Sequence, residues 1–253
     1  YGVPVSASAC GWFHAPGGFC HELTISEIQL LLDEFRRTAK LAVQGGADAI
    51  EIHAYGGYLT DQFLTRCWNT RTDEYGGGLE GRMRFLLEMI QIIKEEGGEK
   101  VPVIVKYSAS HDLPAESGYR DLEEGIEIAK RLERAGVDAL HVDAGCYEKW
   151  HYAMPPVYFQ ETVPQIAIAK AVKKAVDIPV ITHGRLSDIE KAEAVLNQGA
   201  CDFVAIARGL LADPMLPEKV MLGNTEDIRP CISCNDGCIG QVFAGKQAGC
   251  AVN

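Results

Sequence analysis

Two periodicities alternate along the chain. Thr24-Ile-Ser-Glu27 forms a capping box, and behind it Ile28, Leu31, Leu32, Phe35, Ala39 and Ala42 recur at three- and four-residue spacing. That pattern predicts a helix to about Gln44, which Gly45-Gly46 ends. Short apolar runs follow, each introduced by a variant of one device: Gly46-Ala-Asp-Ala-Ile50, Gly136-Val-Asp-Ala-Leu140 and Gly199-Ala-Cys-Asp-Phe203. In each, Gly stops a helix, Asp sits in the turn and an apolar strand begins. Between these copies, Val101-Pro-Val-Ile-Val105 and Ile178-Pro-Val-Ile181 place Pro just before a strand. Five strands are therefore predicted near 49–53, 102–107, 139–143, 179–183 and 203–207, with helices near 80–97, 121–135, 161–176 and 187–198. Strands alternating with helices of this length make parallel βαβ units. The strands' apolar runs predict a sheet covered on both faces.

Parallel βαβ repeats build either an open doubly wound sheet or a (β/α)8 barrel. No Gly-x-Gly-x-x-Gly follows any strand, which counts against the open nucleotide-binding sheet. The last two strands end in Gly184-Arg185 and Arg208-Gly209, where barrels hold a phosphate after strands seven and eight. The fold class is α/β, and a TIM barrel represented by strands four to eight is expected. Tyr1 to Ser8 then reads as the tail of strand three, leading into a Gly/Pro loop around 15–18. The chain opens at Tyr1 without Met and stops at Ala251-Val-Asn253 without a closing element, so a fragment lacking the opening of the barrel is expected.

Composition narrows the function classes. At 253 residues, 47% apolar and 23% charged, the chain can bury one large core or two small ones. A net charge of −11 opposes binding to nucleic acid or to an anionic membrane surface. No apolar run approaches the roughly 20 residues of a membrane span, and no signal peptide is visible. Nine cysteines, an odd number, do not form a secreted disulfide framework, so an intracellular, cytoplasmic protein is expected.

The candidate chemistry lies in two places. The stretch from Ala49 to Phe63 starts as a buried strand and breaks at Gly56-Gly57, delivering His53, Tyr55 and Tyr58 to the strand's exit. Such exits carry catalysis in parallel α/β enzymes, although a packing turn filled by Tyr58 fits the same pattern. The second place is Cys231-Ile-Ser-Cys234-Asn-Asp-Gly-Cys238, followed at a distance by Cys250. Four thiolates so spaced can converge on zinc or on an iron–sulfur cluster. A tight triad with one distant ligand favours [4Fe-4S] over zinc, which prefers two paired knuckles. Gly237, Gly240, Gly245 and Gly249 would let backbone amides approach the sulfurs. Cys10, Cys20, Cys67, Cys146 and Cys201 read as core or surface thiols.

These residues carry a resemblance. His53-x-x-x-Gly-Tyr-Leu59, Gln62-Phe-Leu64, Asn69-x-Arg-x-Asp-x-Tyr-Gly-Gly77, Glu80-Gly-Arg-x-Arg-Phe85 and Ala212-Asp-Pro214 resemble the signature of the old yellow enzyme family of flavin oxidoreductases. The Cys cluster is similar to that of its iron–sulfur branch, which contains 2-enoate reductases, 2,4-dienoyl-CoA reductases and trimethylamine dehydrogenase. The resemblance implies FMN, with Gly184, Arg185, Ala207 and Arg208 at its phosphate and Lys106 beside its ring. Relatives usually carry Arg at that last position, so Lys keeps the charge but loses the planar fork. It also implies that Tyr58 is the proton donor and His53 a carbonyl-binding donor, while Gly56 stands where the family has a second donor. Trp150-His151 followed by Met154-Pro155-Pro156 resembles the segment supplying a His that relays a proton to the tyrosine. His141 reads as a satisfied strand histidine, and His14, His21, His111 and His183 receive no role. Asn69, Arg71, Asp73, Tyr75, Arg82 and Arg84 are expected to pin the loop beneath the site.

The implied whole is an anaerobic NAD(P)H-dependent ene-reductase. Residues 1–225 are its flavin-binding barrel portion, and residues 226–253 hold a [4Fe-4S] cluster on Cys231, Cys234, Cys238 and Cys250. FAD and NAD(P)H belong to a C-terminal domain beyond this chain. The substrate is a small unsaturated acid or thioester, and a homo-oligomer is expected. Two alternatives stay open: an amine dehydrogenase running oxidatively, and a non-catalytic electron-transfer module.

Overall fold

The computed structural model describes residues 2–13, 15, 17–156 and 164–253, with the Trp150 side chain set aside. Tyr1, His14, Pro16 and the expected helix start at 161–163 lie outside the described residues. Three short strands come first: β1 (Val5–Ser6), β2 (Cys10–Gly11) and β3 (Phe19–Glu22). They form a sheet of their own, β1 parallel and β2 antiparallel to β3. This corrects the reading of the N-terminal segment as the tail of a barrel strand. The loop folds back so that the Trp12 amide donates to Gly18 O at 2.9 Å, and the free edge of β3 then takes Val5 and Ser6 as partners.

Helix α1 (Ile25–Gln44) starts where the capping box predicts: the Glu27 amide donates to Thr24 Oγ1 at 3.3 Å and the Thr24 amide to Glu27 Oε2 at 2.8 Å. Gly45 stays right-handed at its end, and Gly46 takes the left-handed conformation at φ +81°.

The main sheet contains β4 (Ile50–Ala54), β5 (Val103–Ser110), β6 (Ala139–Ala144), β7 (Val180–Thr182) and β8 (Phe203–Val204). All four neighbouring pairs are parallel, in the order of the sequence. Between β4 and β5 run α2 (Leu59–Leu64) and α3 (Leu79–Gly97); α4 (Leu122–Arg134), α5 (Gln165–Lys173) and α6 (Ile189–Asn197) make the next three crossovers. Three short helices, α7 (Arg208–Ala212), α8 (Leu216–Met221) and α9 (Gln241–Phe243), close the described chain. The repeated Asp has a structural job. Asp138 Oδ2 accepts the Val103 amide at 2.8 Å and Asp202 Oδ2 accepts the Val180 amide at 2.7 Å, so each turn carboxylate satisfies the amide opening the preceding strand.

The two faces of the sheet differ. Ile52, Ala54, Val103, Val105, Leu140, Val142 and Val180 are buried under Met83, Leu86, Ile90, Ile93, Ile128 and Leu132 of the covering helices. Each Val, Leu, Ile or Met side chain among them contributes roughly 1.5–3 kcal/mol of burial. The other face carries Glu51, His53, Lys106 and His141, so the strands alternate rather than being apolar on both sides. Beneath the site, Asn69 Nδ2 donates to Phe63 O and Tyr75 O, while Arg71 Nη1 donates to Ala7 O at 2.7 Å and Leu23 O at 2.6 Å. Arg82 donates to Leu64 O and pairs with Glu124 at 2.7 Å. Asn69, Arg71 and Arg82 thus tie α2, the N-terminal sheet and α3 together. Among the described residues no helix is long and apolar enough to cross a membrane.

Candidate active site

Strand β4 hands over to α2 through Gly56 (φ +74°) and Gly57 (φ +85°), two positive-φ residues that only glycine adopts cheaply. A Cβ on Gly57 would stand 3.0 Å from the Tyr147 ring and 3.3 Å from Trp68, so the turn also needs the missing side chain. The Gly56 amide donates to Ser108 Oγ at 3.3 Å, and the Gly57 amide to Asp61 Oδ2 at 2.9 Å. Asp61 is itself fully buried, bonded by Arg120 Nη1 at 2.9 Å and lying 3.2 Å from His111 Nε2. Burial pushes its carboxyl up, but Arg120, His111 and the Gly57 amide outweigh that and hold it well below the usual range. This knot presents Tyr58 at the N-terminus of α2, half exposed, with its ring edge-on to His53 at 4.8 Å and 5.1 Å from Tyr147. Burial first, and a hydrogen bond to Tyr58 second, push the Tyr147 phenol up. Burial and the nearby Lys106 charge lower His53, which keeps that ring neutral at pH 7.

Lys106 is the register partner of both His53 and His141. Its ammonium reaches toward the carboxyl end of the strands, 3.3 Å from Asp143 Oδ2 and 4.3 Å above the centre of the Tyr55 ring. Burial pushes the fully buried Asp143 up, but His183, Lys106 and the Ala144 amide outweigh it and hold the carboxyl at about 2. His183 Nε2 lies 3.2 Å from Asp143 Oδ1, and its Nδ1 lies 3.2 Å from His141 Nε2.

From Lys106 a cleft of about 650 Å³ runs past His141 and His183 to Gly184, Arg185, Ala207 and Arg208. Gly184 (φ +121°) and Arg185 (φ +56°) both leave the strand in unusual conformations. Arg185 Nη2 donates to Pro156 O at 2.5 Å, whereas its Nε is buried without a hydrogen bond among the described residues. Arg208 Nη1 donates to Pro155 O at 3.0 Å and to Asn235 Oδ1 at 2.6 Å, joining the cleft to the C-terminal segment. There Cys231, Cys234, Cys238 and Cys250 line one narrow cavity with Arg208. The Gly249 amide donates to Gly237 O at 2.6 Å, and a Cβ on Gly237 would meet the Ala251 amide nitrogen at 2.9 Å, so the distant cysteine returns to the triad through two glycines. Among the described residues no three His, Cys, Asp or Glu side chains close on one metal ion.

The structure thus groups Lys106, Gly184, Arg185, Ala207 and Arg208 on one cleft, the four C-terminal cysteines on the next, and His53 with Tyr58 at the β4 exit. His151 packs on Tyr152 with ring centres 4.7 Å apart, and Tyr147 is the side chain seen against Tyr58. His141 and His183, one read as structural and the other given no role, both line the cleft. The signal for His141 and Asp143 was there to read: two residues apart on a strand, they must share a face.

Fold and cleft define a parallel α/β-barrel portion with its polar groups at the carboxyl ends of the strands. The chain belongs to the NADH:flavin oxidoreductase / NADH oxidase family, whose model matches residues 5–227. It is 40% identical, over an alignment of 263 residues, to the cinnamate reductase of Clostridium sporogenes, covering 99% of this chain and 39% of that protein. To the NADH oxidase of Thermoanaerobacter brockii it is 45% identical over 233 residues, 92% of this chain and 35% of that one. A solved complex of 2-naphthoyl-CoA reductase with 2-naphthoyl-CoA matches with a TM-score of 0.91 at 33% identity, covering 99% of this chain and 38% of that one. The chain therefore spans less than two-fifths of the length of each of these proteins.

Proposed function

We propose that this chain is the flavin-binding barrel portion of an NAD(P)H-dependent ene-reductase that saturates a C=C bond conjugated to a carboxylate or thioester carbonyl. The observation that carries the reading is the Tyr58–His53 pair, held edge to face at 4.8 Å, with His53 on the strand beside Lys106. The cleft suits FMN: it has cations at both ends, and the buried Nε of Arg185 is a donor that a phosphate oxygen would satisfy. When bound, FMN supplies the hydride that reaches the β-carbon of the substrate. Tyr58 protonates the α-carbon as general acid. His53, neutral, donates a hydrogen bond to the carbonyl oxygen as negative charge develops there. Gly56 leaves the neighbouring donor place open, which widens the pocket. Lys106 offers its charge to the ring of the cofactor, and Arg185 and Arg208 hold the phosphate end.

In the same reading Cys231, Cys234, Cys238 and Cys250 hold a [4Fe-4S] cluster. Four cysteines on one cavity fit the donor set, and a cluster takes one thiolate per iron, so its ligands stand further apart than those of a single ion. NAD(P)H and FAD are assigned to a further domain. The deciding experiment compares Tyr58→Phe with the parent enzyme on cinnamate, crotonate and dienoyl thioesters. Enoate reduction should fall about 10²- to 10⁴-fold, with flavin reduction by NAD(P)H unchanged. An unchanged enoate rate would remove Tyr58 from the role. Oxidation of small amines with no enoate reduction would decide for an amine dehydrogenase.

A further inference from the structure

One wall of the cleft carries a row of side chains that the ene-reductase reading leaves unused. Glu51 Oε2 lies 3.0 Å from His141 Nδ1, His141 Nε2 lies 3.2 Å from His183 Nδ1, and His183 Nε2 lies 3.2 Å from Asp143 Oδ1. Two imidazoles stand in line between two carboxyl groups. Each of the three contacts needs one proton. A neutral imidazole brings one N–H and one acceptor nitrogen, and an ionised carboxylate brings acceptors alone. Both carboxyls are ionised at neutral pH: Asp143 sits at about 2, and Glu51 is lowered, chiefly by its hydrogen bond to His141. Two neutral rings therefore leave one contact with an acceptor facing an acceptor at 3.0–3.2 Å. Such a buried mismatch costs roughly as much as a lost hydrogen bond.

We infer that the His141–His183 pair is a proton-storage site on the cofactor cleft, holding one proton more than two neutral rings at neutral pH. Burial favours a neutral His141, and the far end of the pair, His183, lies against the fully buried carboxylate of Asp143. The charges then balance: Glu51 and Asp143 against the shared imidazolium and Lys106. Losing the stored proton would leave one net negative charge beside Lys106. Near the row stand His53 and Tyr55 from β4, with Arg185, Asp188, Lys191 and Arg208 further along the cleft. Burial lowers His53 and raises Tyr55, so both stay neutral, and the arginines add only fixed positive charge. The row can thus take or give a proton as charge arrives on whatever occupies the cleft. Its link to a flavin rests on the function proposed above; the proton count does not.

Ring-nitrogen NMR of histidine-labelled, flavin-loaded enzyme tests this directly, with signals assigned from His141→Gln and His183→Gln. At about pH 7, where an ordinary histidine is mostly neutral, the two rings together should show three protonated nitrogens. In Glu51→Gln the side-chain amide can donate to His141 Nδ1, which lets both rings be neutral, and the count should fall to two. Glu51 lies at the open face with its side chain 40% exposed, and Gln matches its shape; retained flavin absorbance reports an intact cleft. Two protonated nitrogens in the parent, or three in both proteins, would overturn the inference. The readout needs no turnover, so absence of enoate reduction would sink the proposed activity and leave this result standing.

Discussion

Replacing Asp61 by Asn probes how the turn that carries Tyr58 is held. Asp61 and His111 are fully buried and Arg120 is almost so. His111 Nδ1 accepts the Arg120 amide at 3.0 Å, which leaves its Nε2 proton for Asp61 Oδ2 at 3.2 Å. Arg120 Nη1 and the Gly57 amide supply two more bonds, each at 2.9 Å, and Thr65 Oγ1 a longer one at 3.3 Å. Asparagine keeps the size and one acceptor oxygen, but it removes the charge that answers Arg120 and turns an amide NH₂ toward a donor. Removing one partner of a buried ion pair costs about 3–5 kcal/mol. At about 2–4 °C per kcal/mol for a chain of this size, Tm should fall by about 6–20 °C. Far-UV circular dichroism of the flavin-saturated protein reads this directly. The double variant Asp61→Asn/Arg120→Met should recover most of the loss, because removing both charges is close to neutral. The Asp61 carboxyl is depressed in the folded state, so its stabilisation is complete above its unfolded value of about 4 and is lost as pH falls toward the folded one. Asp61→Asn should therefore flatten the acid limb of the stability curve. A Tm loss below about 3 °C, or a double variant no better than the single, would refute the reasoning.

Three further outcomes are expected. Gly57→Ala should cost about 1–2 kcal/mol from its positive φ alone, more as Tyr147 is displaced, and should slow the Tyr58-dependent step while flavin binding holds; thermal melts and stopped-flow traces separate the two effects. Lys106→Met should lower the FMN potential in spectroelectrochemical titration, because it removes a cation and leaves Asp143 Oδ2 without its partner; an unmoved potential counts against Lys106 at the ring. Anaerobically purified protein should contain about four iron and four sulfide per chain, as a Cys-ligated [4Fe-4S] centre requires. Stoichiometric zinc without iron would decide for the alternative.

The βα order was legible because each turn repeats one chemical device. The Gly that stops a helix and the Asp that follows are two to three residues apart, and Asp138 and Asp202 each serve the strand beside them. His53 and Tyr58 were legible for a similar reason: two glycines mark the exit of their strand. Register is what the sequence conceals. Lys106 meets Asp143, and His141 meets both Glu51 and His183, only because parallel pairing aligns positions far apart in the chain. The N-terminal segment was misplaced because two-residue strands show no periodicity at all. His151 and Tyr147 share an irregular turn with a non-helical break at Lys149, across which no single helical period relates them. The cysteine triad and Cys250 were legible as one set of four thiolates; the backbone approach between Gly237 and Gly249 that returns Cys250 to the triad is a tertiary contact.

Arg208 is a wall common to two chambers. Its guanidinium faces the large cleft on one side and the cysteine cavity on the other, anchored by Pro155 and Asn235. Chambers that share a wall cannot be remodelled one at a time. Any substitution that moves Arg208 to suit what binds in the cleft also reshapes the cysteine cavity, and the reverse holds equally. Redesign of either chamber therefore has to treat the 154–156 loop, Arg208 and Asn235 as one inherited unit, and a graft that transplants the cleft without this segment carries only half of a partition.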